Sequence, residues 1–137
     1  MLRRFTVLLL LLCIVAQVAG CAGLKSREKI TRLEKSLQDY GAMLRWARYY
    51  DAHDFVFSPD GSKPGLDASR FDGFRIAAVN YIRSDLNLEE TEATVYAEIQ
   101  YYNDQTATIS TLQETQTWWY EEDSRRWFLD GELPQLK

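Results

Sequence analysis

The chain has 137 residues, 46% of them apolar and 26% charged, with only 7 Gly and 3 Pro, which argues against collagen, low-complexity sequence and wholesale disorder. Its formal net charge is −4, and with no clustered Arg and aromatic stripe no nucleic-acid partner is expected. One domain with one modest core is the expectation.

Residues Met1 to Gly20 have the three parts of a secretory signal. Arg3 and Arg4 form a basic head, an apolar run from Phe5 to Val18 is broken only by Thr6 and Gln17, and small Ala19 and Gly20 precede a cleavage point. The run of about 14 residues is shorter than the roughly 20 that a helix needs to cross a bilayer. The segment ends Val18-Ala19-Gly20-Cys21, which resembles the lipobox of bacterial lipoproteins. That resemblance implies that Cys21 is diacylglycerylated, that the chain is cut just before it, and that its new amino group is acylated. Each buried methylene adds about 0.8 kcal/mol, so two or three acyl chains on one residue hold a protein essentially permanently at a membrane. Cys13 would leave with the leader, so the exported domain has no disulfide, and thiol catalysis or cysteine-ligated metal is excluded. Ala22 stands where lipoproteins retained at the inner membrane often carry Asp, so the family comparison implies the outer membrane, facing the periplasm. The expected organisation is a signal peptide at 1–20, a lipidated anchor and short tether at 21–25, and one domain at 26–137.

Charge divides the remainder unevenly. Leu24 to Arg48 has seven Lys and Arg against three acids, whereas Tyr49 to Lys137 has seven against seventeen. A basic stretch after a lipid anchor is drawn to anionic headgroups; it also reads simply as a solvated helix face. From about Ser26 to Tyr50, Ile30, Leu33, Leu37, Tyr40, Leu44 and Ala47 recur at steps of three and four, the period of an amphipathic helix. Ser26 is a candidate N-cap, Glu28 and Arg32 can pair one turn apart, and Gly41 marks a bend or a close helix-to-sheet contact.

Turn formers then cluster at Ser58-Pro59-Asp60-Gly61 and Lys63-Pro64-Gly65. Residues 52 to 57 suit one helical turn, and Phe55 and Phe57 are expected to pin the loop to the core. Four segments rich in Val, Ile, Thr, Tyr and Trp follow, near 73–84, 91–102, 105–120 and 125–130, and read as an antiparallel meander. A two-residue turn at Asn103-Asp104 and a four-residue turn at Glu121 to Ser124 put Val95, Ala97, Ile99 and Tyr101 on one face with Leu112, Trp118, Tyr120, Trp127 and Leu129. Trp118 then lies opposite Trp127. A three-residue turn at Asn103 would instead set Ile109 and Ala107 beside Ile99, so the pairing stays open. Strands this long usually bulge and curl the sheet.

The fold class is therefore α+β, a long N-terminal helix packed on a curved four-stranded antiparallel meander. Its layout, together with Leu44-Arg45-Trp46 and Ala52-His53-Asp54-Phe55, resembles the cone-shaped nuclear-transport-factor-2-like superfamily or its simpler cystatin-like relatives. The superfamily includes isomerases and dehydratases, and many members with no known catalysis. No catalytic motif matches, so no catalytic residue carries over.

His53, the one histidine, lies between Asp51 and Asp54; a His-carboxylate pair can serve acid-base or metal chemistry, but a surface or helix-end role is the commoner one. Tyr96 and Glu98, alternating with Gln100, are binding candidates if they point into a concave pocket, and otherwise form the wet side of a half-buried sheet. Trp119 and Phe128 must face away from Trp118 and Trp127. They form an interface or ligand-stacking patch if exposed, and core if the helix and C-terminal tail cover them. The expectation is a lipid-anchored outer-membrane lipoprotein whose domain binds without catalysing, with membrane contact through Cys21, an envelope protein as possible partner, and no cofactor or metal. Two alternatives stand beside it. One is an enzyme of the cone class with Asp54, Tyr96 or Glu98 as general acid or base, favoured by a deep pocket and one carboxylate of raised pKa. The other is an assembly subunit that pairs through its Trp-rich sheet.

Overall fold

The computed structural model describes the backbone from Leu2 and the side chains of residues 23–137; the side chains of residues 1–22, that of Cys21 among them, lie outside the described residues. Helix α1 (Leu2–Arg45) is followed by the short α2 (Tyr49–His53), a 3-10 turn at Ala68–Phe71, and strands β1 (Phe74–Leu86), β2 (Glu92–Asn103), β3 (Ile109–Glu121) and β4 (Arg126–Asp130). The strands form one antiparallel sheet in the order β1-β2-β3-β4. The architecture is thus α+β, one long helix and a four-stranded meander. Among the described residues no helix is long and apolar enough to cross a membrane.

The helical period does what it predicts. Leu33, Leu37, Tyr40 and Leu44 are buried in the core beside Val95, Ile99, Trp118 and Trp127 of the sheet, and burying each such side chain contributes roughly 1.5–3 kcal/mol. Both ends differ from expectation. Ser26 lies inside α1 and not at its N-cap; its hydroxyl instead donates to Glu90 at 2.6 Å, from the far end of the β1–β2 turn. Ala47 does not extend the apolar stripe, because the helix closes just before it. Ala47 sits at φ 56, its N–H donates to Leu44 O, and the Arg48 N–H reaches back to Met43 O at 2.9 Å. This is a Schellman stop with alanine in the position that glycine usually takes. The expected Glu28–Arg32 pair is present at 2.9 Å. Of the cations on this helix, Arg32, Lys29 and Lys35 face Glu28, Glu122 and Asp39, so part of its positive charge is already answered within the domain.

In the sheet the expected face is found while the pairing is displaced. Asn103 accepts at Oδ1 from the Gln105 and Thr106 N–H groups, and Ala107 adopts φ 53. These hold a loop longer than the expected two-residue turn, and Ile99 comes opposite Leu112. At the last hairpin Arg125 takes φ 57, Glu121 pairs with Arg126, and Trp118 stands opposite Leu129 while Tyr120 faces Trp127. Both displacements are even in residue count, so no side chain changes face. β1 contains two irregularities, between Ile76 and Ala78 and between Tyr81 and Arg83. Each inserts one residue, which lets Ile76, Val79, Tyr81 and Leu86 share the helix-facing side although they are not evenly spaced.

The loop after α2 crosses the outer edge of β4. Val56 makes a parallel bridge with Leu129, the Phe57 N–H donates to Leu129 O at 3.0 Å, and the Leu129 N–H donates to Phe55 O at 2.7 Å. Phe55 and Phe57 do pin the loop, from opposite sides of the sheet. Phe55 packs edge-on against Tyr40 and Trp118, and Phe57 lies against Trp119 and Phe128.

Candidate functional site

β4 pairs only with residues 117–121 of β3, which leaves the first eight residues of that strand with a neighbour on one side alone. Beyond Asp130 the chain runs back along this free edge, held by buried Leu133 and Pro134 and by the Tyr101 hydroxyl, which donates to Lys137 O at 3.0 Å. Between strand and tail is a cleft of about 420 Å³, with Tyr101, Thr111, Leu112 and Glu114 on one wall and Glu132 and Leu133 on the other.

Glu114 is the chemically distinctive group in it. Leu112, Glu114, Gln116 and Trp118 alternate onto the helix-facing side of β3, and their polar ends join in a line. The Trp118 indole N–H donates to Gln116 Oε1 at 2.9 Å, and Gln116 Nε2 donates to Glu114 Oε2 at 2.7 Å. Gln116 is 3% exposed. Burial pushes the Glu114 carboxyl above its usual range, and the Gln116 amide and the Arg70 charge only partly oppose it. Burial also drives the phenols of Tyr40 and Tyr81 up, and the nearby Glu114 charge adds to the effect. Tyr81 donates to Leu37 O at 2.7 Å, whereas Tyr40 Oη and Arg70 Nε find no partner among the described residues. Arg70 is otherwise engaged, donating to Leu133 O at 2.6 Å and lying 3.6 Å from Glu132. The result is a half-buried acid at the wall of an open slot, its protonated form favoured by its surroundings.

Reading the residues alone does not single out Glu114, because the polar run from Gln113 to Thr117 looks like exposed strand. The signal was nevertheless present. Any register that puts Leu112 and Trp118 on the core face carries Glu114 and Gln116 there too, and two polar side chains of core parity mark a place where the interior is polar.

The expected binding residues lie elsewhere. Tyr96 and Glu98 point away from the helix, since Val95, Ala97 and Ile99 take the core side of β2; no pocket on the helix side receives them. Arg83 lies over the Tyr96 ring at 4.4 Å, and Glu98 sits opposite Gln113. Tyr96 does line a second cavity, of about 430 Å³, with Ile82, Gln113 and Thr115, and Glu114 borders it too. Trp119 and Phe128 do face away from Trp118 and Trp127, and they pair directly across β3 and β4. Neither forms an open stacking patch. Phe57 covers them with ring centroids 6.2 and 5.7 Å away, and the Trp119 indole donates to Phe57 O at 2.6 Å. The cover is the middle loop, where the sequence pointed to helix and tail. A ring nitrogen of His53 bonds Pro64 O at 2.7 Å, and Asp54 pairs with Lys63 at 3.3 Å. Both thus serve to hold the same loop. Comparison of the chain with protein-family models, curated proteins and solved structures returns no match.

Proposed function

We propose that the chain is an exported lipoprotein, anchored through acylated Cys21 in the outer membrane and facing the periplasm, whose single domain has a cone-like or cystatin-like layout and works by binding. The observation that carries this reading is the leader ending in Val18-Ala19-Gly20-Cys21. One feature of the geometry supports a binding role. The cleft beside β3 has polar groups on its walls, whereas the His53 and Asp54 groups that suggested chemistry are engaged in holding a loop. The test is the intact mass of the protein extracted from membranes with detergent. Fatty-acyl additions on a chain beginning at Cys21 are expected, and Cys21→Ser is expected to remove both the additions and the membrane association. A wild-type mass with no acyl addition, or one that retains the first twenty residues, sinks the reading.

A second reading has one specific observation in its favour. Glu114, with its raised pKa at the cleft wall near buried Tyr40 and half-buried Tyr81, has the protonation behaviour of a general acid. It predicts a turnover that Glu114→Gln abolishes while ligand binding persists; loss of binding alone favours the first reading.

A further inference from the structure

We infer that the free edge of β3 is a docking strand for an extended, basic peptide segment, which adds to the sheet in the cleft between β3 and the tail. The inference deepens the reading of the domain as a binding module and does not depend on the anchor.

The sheet has three places where backbone hydrogen-bonding groups would otherwise stand unpaired, and two are dealt with. The outer edge of β4 is taken by residues 55–57 through the bonds to Leu129. The outer edge of β1 carries two bulges and the charged side chains of Arg75, Arg83 and Asp85, devices that commonly blunt an edge against pairing. Residues 109–116 of β3 have no bulge and a single charged side chain, Glu114. They read Ile-Ser-Thr-Leu-Gln-Glu-Thr-Gln, with no Pro, no Lys and no bulge against β2. The tail lies beside them, yet no backbone hydrogen bond joins it to this stretch among the described residues.

Alternation shows which groups are free. The Tyr120 N–H donates across to Thr91 O on the β2 side, so even-numbered residues of β3 direct their backbone groups to β2 and odd-numbered ones direct theirs outward. Thr111, Gln113 and Thr115 therefore present N–H and C=O groups to the cleft. Together with their neighbours they span about 25 Å of template for an added strand.

Charge selects the occupant. Glu114 is half-buried on the helix-facing side of this edge; the Arg70 charge acts on it only in part, and no side-chain ion pair within 4 Å engages it among the described residues. A Lys or Arg at the position opposite it in an added strand would bring a cation to ion-pair distance. A second copy of the chain would bring another Glu114 to the same face of a continuous sheet with no added cation, and residues 49–137 of the two bodies carry seventeen acids each.

The experiment is amide hydrogen exchange on the full-length protein in detergent micelles, with and without a capped octapeptide alternating Val with Lys and Thr. The expected result is at least about tenfold slower exchange at Thr111, Gln113 and Thr115 when the peptide saturates. The same peptide N-methylated at alternate amides should give no protection, and Glu114→Gln should weaken the basic peptide severalfold while the protein keeps its near-UV spectrum. The N-methylated control needs no variant, so the test survives any misfolding of Glu114→Gln. The inference is overturned if the three amides stay unprotected, if a Glu-for-Lys peptide protects them equally, or if they become protected with rising protein concentration alone, which would identify a second copy as occupant. None of these outcomes bears on acylation of Cys21, so the two readings can fail separately.

Discussion

A Cβ on Gly41 would lie 3.2 Å from Tyr81 Oη and 3.4 Å from the Val79 Cβ, the close helix-to-sheet approach that the glycine signalled. Tyr81 cannot move aside cheaply, because its hydroxyl is bonded to Leu37 O one turn earlier on the same helix. Gly41→Ala should therefore fail to deliver the roughly 1 kcal/mol that helix propensity alone offers. In a Tyr81→Phe background the obstructing oxygen is gone and the gain should reappear. A double-mutant cycle by urea unfolding measures it, and additive effects of the two substitutions would refute the contact. Glu114 yields a prediction about pH. Its folded pKa is raised by burial above an unfolded value near about 4.3, so in that window the folded state binds the extra proton. Stability consequently falls as pH rises through the window, and the penalty is complete above it. Glu114→Gln, which never ionises, should be more stable than the wild type at neutral pH and lose that advantage in acid. Thermal unfolding at about pH 4 and pH 7 decides; an advantage that does not depend on pH would rule out ionisation as its cause.

At the scale of elements, the sequence disclosed faces better than partners. Period-3.6 spacing identified Leu33, Leu37, Tyr40 and Leu44, and period-2 spacing identified the core side of β2 to β4, because hydrophobic burial acts on every residue of a face at once. The hairpin pairings depended on single left-handed residues, Ala107 and Arg125, which are neither Gly nor Asn and so gave no local signal. The end of α1 at Ala47 was hidden for the same reason. The cover over Trp119 and Phe128 was illegible for another. It comes from Phe57, sixty-two residues before Trp119, and no local pattern reports so distant a contact. The cover is testable. Phe57→Ala should cost about 2 kcal/mol, less than a fully buried Phe because Phe57 is half-exposed, and should shift indole fluorescence to the red as Trp119 meets water. A change below about 0.5 kcal/mol with unchanged fluorescence would mean that the ring merely rests on the surface.

At the scale of the molecule, the proposed lipid anchor and the charge of α1 would make different claims on a membrane. Lys29, Arg32 and Lys35 on α1 have acidic neighbours, so attraction to anionic headgroups contributes less than the sequence charge suggests, and exposed pairs of this kind are individually weak. On the proposed acylation of Cys21, membrane retention should then survive a wash at about 1 M salt, where screening reaches within about 3 Å, and be lost in Cys21→Ser. Release of the wild type by salt would transfer the anchoring role to the basic helix face. The Val56–Leu129 bridge has a consequence in time as well as in space. It fastens the middle of the chain to the last strand, seventy-three positions later, and so cannot close until that strand has emerged and paired. Until then the aromatic rings on both sides of the sheet stand bare. A chain interrupted before residue 126 would thus be a greasy, half-clasped body that chaperones and proteases of its compartment can tell from a finished one.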